Sequence, residues 1–583
     1  MIQARKEDTD VLVIGGGPAG STTASILKRY NPNLQVTIVE RKEFPRYHIG
    51  ESLVLEVPRI LKDMDVLEEV EAAQFLKKGG ATYVWGKDRN PWAFYFNETT
   101  GKRPHFEDIK NYAWHVDRAE FDTILLNRAR RHGVKVIQPA TVTRLLYSGE
   151  RMTGAVVNDE NNDTVEISAR FVVDASGRKG VIASRHGTRV LDPLIRNIAM
   201  WGYWKGATLE EDYSVSWELS NITIVSTRLG WIWFIPVKED LVSVGVVTST
   251  DTFRDLAKED PERFYHSVLN ETPELARWLK DAEFSHCPGA PRQLMIERDF
   301  NYLHSELTGP GWALVGDSAG FTDPLFTFGV FLAMTSAQLL AYSIGTVLDE
   351  GIQRATEEAI LPTYEQHVRS YYEAFRAMIA IFYGFNSSKE DYWNHTREIL
   401  RGQALPEGID NRDAFLAFTC GYGVNSMLMN EATQHFGNVS LNRIRDMCLK
   451  DSMQLQLNQA GDYGDNPASD ESCPAWVSKP RFTPTTLPLP GTGRVTPIIR
   501  AEFGDATSDD TQVQFPRYLF IPREMMPILN QFDGATSIRQ FKRQIADTRF
   551  STPLSSVNQE QFFNHIIKSL STMGVITHAP PGP

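Results

Sequence analysis

Two groups of residues in this chain have the types and spacing to do chemistry. Gly15, Gly17 and Gly20 form a GxGxxG, with Ala19 inside it, between the apolar run 10–14 and a helix-favouring run. In such a motif the first glycine permits a tight turn. The second lets the backbone approach a pyrophosphate, and the third lets helix and strand pack closely. The helix start adds unpaired amides and the positive end of a dipole. Glu40 lies about 20 residues further on, at the end of a second apolar run and before Arg41, where a carboxylate accepts from ribose hydroxyls. The second group is Trp231-Ile-Trp233-Phe-Ile235-Pro236. On a strand, positions i and i+2 share a face, so Trp231, Trp233 and Ile235 would line one side as a rigid aromatic wall.

These residues need elements to hold them. Residues 10–15, a helix to about Lys28 and a strand over 35–39 read as a βαβ unit. A helix over 118–131 and strands near 134–137, 154–157 and 171–173 repeat the pattern. From 196 to 249 the period falls to two, which predicts an inserted antiparallel sheet. Residues 312–315 return to the first domain, and 333–385 and 409–455 carry helical periodicity. The expected division is 1–195 and 301–350 for the nucleotide-binding domain, 196–300 for the inserted sheet and 351–460 for a helical region. A Pro/Thr-rich connector over 461–515 and a small helical or winged-helix module over 516–583 follow. The fold class is therefore α/β, Rossmann-like, with an inserted antiparallel substrate sheet and a mainly helical C-terminal region.

Composition narrows the function. The chain has 583 residues and a net charge of −13, with no long Lys/Arg run, which argues against a nucleic-acid partner. Its four cysteines show neither CxxC pairing nor metal-ligand spacing, so no metal site is expected. The N-terminus lacks an apolar core, and no apolar run approaches the roughly 20 residues that span a bilayer, so a cytoplasmic protein with no membrane span is expected.

Two further pieces decide the nucleotide. Asp174-Ala-Ser-Gly177 follows one strand, and Trp312-Ala-Leu-Val-Gly-Asp317-Ser-Ala-Gly-Phe-Thr-Asp-Pro324 contains another. With the first fingerprint, in this order, they resemble the flavoprotein monooxygenase superfamily of the para-hydroxybenzoate hydroxylase type. That resemblance implies FAD. It implies that Asp317 holds the ribityl chain and that Arg118, in Val116-Asp-Arg118-Ala-Glu-Phe-Asp122, lies against the flavin. Ser52, Asp174, Gly177, Pro324 and Gly329 complete the implied cofactor set. Within the superfamily, the WxWxIP of 231–236 resembles the flavin-dependent halogenases. The segment Phe44-Pro-Arg-Tyr-His-Ile-Gly-Glu-Ser52 does so too, although flavin-dependent isoprenoid reductases share it. The resemblance covers roughly residues 8–385.

What it implies is a two-component halogenase. A separate flavin reductase supplies FADH2, and chloride or bromide attacks a flavin hydroperoxide to give hypohalous acid. The tryptophan wall keeps the organic substrate from direct oxygen transfer. The family's catalytic lysine falls on Lys78, with Lys77 as the alternative; it steers the halogen by a hydrogen bond to hypohalous acid or as a chloramine. Burial would lower its pKa and free the amine. The bland reading makes both surface lysines on a loop. The halide would sit against the amides of Phe328 and Gly329, where Phe326-Thr-Phe-Gly329 leads into a helix. Tryptophan halogenases carry a glutamate in this turn, and the aligned residue here is Phe326. That departure points away from indole and toward a phenolic (tyrosyl-like) or pyrrolic ring, free or tethered to a peptidyl or acyl carrier protein in natural-product assembly. Asp299 is the candidate for a covalent flavin link, as some members of that branch have. The rival readings are a flavin-dependent monooxygenase or reductase without halide chemistry, and a non-catalytic flavoprotein whose C-terminal module binds a carrier.

Overall fold

Strand Arg5–Ile14 pairs in parallel with Val36–Val39 on one side and with Thr164–Asp174 on the other. Its last residues, Val11 to Ile14, are buried, as expected of a central strand of a parallel sheet covered on both faces. This is a computed structural model. It describes residues 5–421 apart from short stretches, chiefly 99–110, 214–218, 351–355, 385–387 and 400–410, and much of 472–502, 518–546 and 576–579. The chain divides into two compact units, residues 1–345 with 365–425, and residues 346–364 with 426–583.

The first unit is built on two large sheets. The eight-stranded sheet is the nucleotide-binding one, and Trp312–Leu314 joins it beside Thr164–Asp174. Helix Pro18–Tyr30 follows the glycine turn, with proline at its first position, where a missing N–H costs nothing. Gly15 has φ +111°, in the region that favours glycine. A Cβ on Gly20 would lie 1.9 Å from the Gly15 carbonyl oxygen, so strand, turn and helix meet backbone to backbone.

The nine-stranded sheet includes Asn197–Lys205, Ser220–Thr227, Gly230–Lys238 and Leu241–Ser249. It begins much earlier in the chain than residue 196. Strand Leu76–Val84 adds to it in parallel with Ser220–Thr227, followed by Trp92–Tyr95 and Ala113–His115. Lys77 and Lys78 are therefore strand residues and not loop residues. A run that alternates poorly is hard to read as a strand, and its pairing partner lies some 140 residues away.

Helix Gly329–Val347 corrects a second expectation. It has 19 residues with mean hydropathy 1.5, long and apolar enough to cross a bilayer. Its apolar window is 89% buried inside the protein, the condition of a core helix apolar all round.

The second unit corrects a third. Residues 481–502, read as connector, form the hairpin Arg481–Leu489 with Arg494–Glu502, and Tyr518–Ile521 pairs with the latter. Pro484 and Pro488 lie on the edge strand. Their even spacing suits an edge, where alternate N–H groups have no ladder partner. Helix Ile538–Ala546 buries Ile538, Phe541 and Ile545 in a core with Ile499, Ile521 and Phe532. Much of 409–455 lies outside the described residues.

A Gly20→Ala substitution should force the helix off the turn. We expect a loss of about 1–3 kcal/mol in stability, the range for overpacking, and weakened FAD binding. Thermal melts and a flavin titration measure the two effects.

Candidate active site

A cavity of about 800 Å³ opens at the carboxyl ends of the parallel strands, the usual place for a ligand in such sheets. Gly15, Gly17 and Ala19 line it from the first turn, and Glu40 and Arg41 from the second strand end. Ser52, Arg118 and Gly177 follow, with Asp317, Pro324 and Gly329 from the return segment. The Glu40 carboxylate accepts from the amides of Gly16 and Lys42, both at 2.7 Å, which fixes its orientation at the rim. Arg118 is held by a bidentate pair with Asp122 at 2.8 and 3.0 Å, and it donates to the Ile49 carbonyl at 2.6 Å. Burial raises the Asp317 carboxyl to about 6, against the pull of Arg178 and Arg118.

These residues fit FAD. Gly17, on the cavity wall, leaves backbone where a phosphate must approach, and the half-buried Asp317 carboxyl faces the cavity where a polyol would lie. Two members of the predicted set stand back from it. Gly20 makes the helix contact described above. Asp174 is fully buried and accepts from the Ser176 amide and hydroxyl and from the Ile182 amide, at 3.0, 2.6 and 2.5 Å. Its carboxylate ties the turn that brings Ser176 and Gly177 to the wall. Asp299 lies outside the described residues.

The tryptophan strand behaves as its alternation requires. Ile232 and Phe234 enter the core on one face, and Trp233 and Ile235 line the cavity on the other. The Trp233 indole lies over Gly245 of the neighbouring strand, where a Cβ would come within 2.1 Å of the ring. Trp231 is fully buried and does not line the cavity. Its ring sits 6.0 Å from that of Trp233, and its N–H donates to the Tyr383 hydroxyl.

Lys78 is 3% exposed, whereas Lys77 faces outward beside the Tyr112 ring. The Lys78 ammonium donates to the Thr327 hydroxyl at 3.3 Å and lies 5.8 Å from the Phe96 ring centre. Burial pulls its pKa down to about 7. His115, a diagonal neighbour on the adjacent strand, is held well below its ordinary range by burial and by Lys78.

Thr327 lies on the cavity wall and ends the short turn Pro324–Phe326. Gly329 also reaches the cavity, and its absent Cβ leaves room for the Phe321 ring at 2.9 Å. Phe328 turns its ring away, onto Phe375 at 3.8 Å between ring centres. Only its backbone can therefore serve an anion. Phe326 stacks beside it at 5.6 Å and meets Phe382 edge-on.

Sequence reasoning missed Glu51, Tyr203, Thr327 and Gly245. Glu51 lines the cavity, accepts from Tyr203 at 2.5 Å and is raised by burial to about 7. Its place inside the Gly-Glu-Ser segment was the available signal. Nothing local marks Gly245.

Fold and site together define a flavoprotein of the monooxygenase type with a buried lysine beside its cofactor cavity. The family model for tryptophan halogenases matches residues 10–109 and 100–440, and the chain belongs to that family. It is similar to the tryptophan 2-halogenase of Chondromyces crocatus, 37% identical over 71% of this chain and 76% of that one. It is also similar to the 1H-pyrrole-2-carbonyl-[peptidyl-carrier protein] chlorinase of Pseudomonas fluorescens, 30% identical over 65% of this chain and 84% of the relative. Among solved structures it resembles the myxobacterial chondrochloren halogenase, an FAD-dependent halogenase. The TM-score is 0.60 with 31% identity, covering 72% of this chain and 91% of that one. The protein is a flavin-dependent halogenase that uses FAD and a halide and acts on aromatic substrates.

Gly245→Ala should displace the Trp233 ring without straining the backbone. We expect a cost of about 1–3 kcal/mol, the overpacking range, and a changed spectrum of bound flavin. Thermal unfolding and visible absorbance check both.

Proposed function

We propose that this enzyme chlorinates or brominates an electron-rich phenolic or pyrrolic ring, with Lys78 directing the halogen. The observation that carries the reading is the buried Lys78 against Thr327, in a turn whose residue 326 is a phenylalanine. Bound FAD, reduced by a separate flavin reductase, supplies hypohalous acid from oxygen and halide. The chain does the rest. Gly329 and the backbone of Phe328 begin a helix whose first amides suit an anion. Trp233 and Ile235 wall the cavity and keep a ring from the cofactor. The neutral Lys78 amine either hydrogen-bonds hypohalous acid or exchanges an N–H for N–Cl with release of water. The halogen then passes to the ring carbon, and the ring loses a proton.

That proton bears on the substrate. The carboxyl in this turn, Asp323, is already committed to Tyr383, Asn197 and the Leu325 amide. A phenol or pyrrole can release its own proton, while an indole gains from a base. The pyrrolyl carrier chlorinase supports a tethered substrate as one form, and the tryptophan 2-halogenase keeps tryptophan in the panel to be tested.

Enzyme, reductase, FAD, NADH and bromide, incubated with free phenols, pyrroles, tryptophan and carrier-loaded tyrosine, should give a product with bromine's isotope doublet from a phenol or pyrrole. Preferential bromination of tryptophan would overturn the substrate class. Lys78→Ala should lower the yield by about a hundredfold or more, the scale of a lost catalytic group, and Lys77→Ala by less than about twofold. Full, regiospecific yield from Lys78→Ala would sink the lysine role.

The pH dependence follows from burial. Lys78 titrates near 7 in the folded protein instead of at its ordinary 10.5, so the neutral amine accumulates as pH rises through about 7. Ring halogenation per hypohalous acid formed should rise over that range in wild type and lose this limb in Lys78→Ala.

A further inference from the structure

Trp231, the first tryptophan of the signature, stands off the cavity and spends its N–H on Tyr383. The Tyr383 hydroxyl donates to an Asp323 oxygen at 2.9 Å, and the Asn197 amide donates to the same oxygen at 3.0 Å. The other Asp323 oxygen accepts from the Leu325 amide at 3.1 Å and caps the turn Pro324–Phe326. This turn ends at Thr327, with φ +60°. A β-branched residue is costly there, by about 1–3 kcal/mol, unless its surroundings hold it. Thr327 is the residue that receives Lys78.

We propose that Trp231, Tyr383 and Asp323 form a brace of positioning residues, which holds the 324–329 turn so that Thr327 meets Lys78 and the amides of Phe328 and Gly329 face the halide. The inference rests on the reading of this turn as the halide and lysine site. It splits the roles of the tryptophan pair. Trp233 walls the cavity, and Trp231 sets the turn through a hydrogen bond. Asp323 is 1% exposed, so loss of a donor leaves a carboxyl that water cannot easily satisfy, and the turn must shift to compensate. Burial also raises Asp323 to about 6, consistent with a carboxyl that depends on these donors.

The test uses the full chain with Trp231→Phe, which keeps a ring and removes the N–H, with Tyr383→Phe, and with both together. In cofactor-free protein, hydrogen exchange at the 325–329 amides should quicken about tenfold in either single variant, as expected for a lost buried hydrogen bond. Strands Ser220–Thr227 and Leu241–Ser249, which flank the Trp231 strand, should exchange as in wild type. In FAD-loaded enzyme, the bromide KM for hypobromous acid formation should rise about fivefold or more, with kcat at saturating bromide within about twofold. The double variant should be no worse than the weaker single, because the links act in series. Unchanged exchange at 325–329, equal loosening of the flanking strands, an unchanged bromide KM or additive effects would each overturn the brace. If one variant does not fold, Asp323→Asn tests the same turn with the same outcomes. Trapping of hypobromous acid does not involve Lys78, so an indifferent Lys78→Ala would remove the lysine reading and leave the brace result intact.

Discussion

Burying an ammonium costs free energy, and around Lys78 little offsets it. Among the described residues it has no ion-pair partner; the Thr327 hydroxyl and the face of Phe96 lie against it, with Cys420 nearby. A lysine so placed lowers its pKa instead of keeping its charge. The arrangement therefore needs a wall that excludes water and a turn that brings one hydroxyl to the amine. The aromatic packing of Phe326, Phe328, Phe375 and Phe382 supplies a dry, stiff surround for that turn.

The second sheet makes this arrangement possible. Because Leu76–Val84 pairs with Ser220–Thr227, and that strand pairs with Gly230–Lys238, Lys78 and the tryptophan pair belong to one sheet. A strand surface is a rigid base for groups that must keep their distance from a cofactor. The parallel sheet brings Gly15, Gly17 and Glu40 to the cavity wall. The turn after Asp317 serves both parts, with Asp317 and Pro324 on the cavity and Thr327 at the lysine.

What was legible in the sequence followed the range of the interactions. Gly15, Gly17, Gly20 and Glu40 are a local code, because turn, helix start and strand end follow within one βαβ unit. The alternation at 231–236 was legible in the same way, and Trp233, Ile235, Ile232 and Phe234 divide between the two faces as period two requires. Lys78 as a buried strand residue was not legible, since its pairing partner lies far along the chain. Asp174 looked like a cofactor ligand because its motif belongs to the cofactor site, yet its oxygens are taken by nearby donors. The prolines of 484–488 read as a connector because the same residues that break a central strand are tolerated at an edge, and edges are set by tertiary structure. Gly245 could be understood only once the Trp233 ring was seen lying on it.

The departure at Phe326 can be followed one step further. A carboxylate at that position would be buried among Phe328, Phe382 and Tyr83, one residue before the Thr327 that receives Lys78, a lysine whose pKa burial pulls down to about 7. Such a carboxylate would restore an ion pair and hold Lys78 protonated. An enzyme with that pair gains a base for the ring proton and keeps its lysine as a hydrogen-bond donor. On the proposed reading, phenylalanine there leaves the amine available as a nucleophile and the ring to lose its proton by its own acidity. On that reading, the residue at 326 links the state of the lysine to the class of ring it can serve, through the presence or absence of one charge.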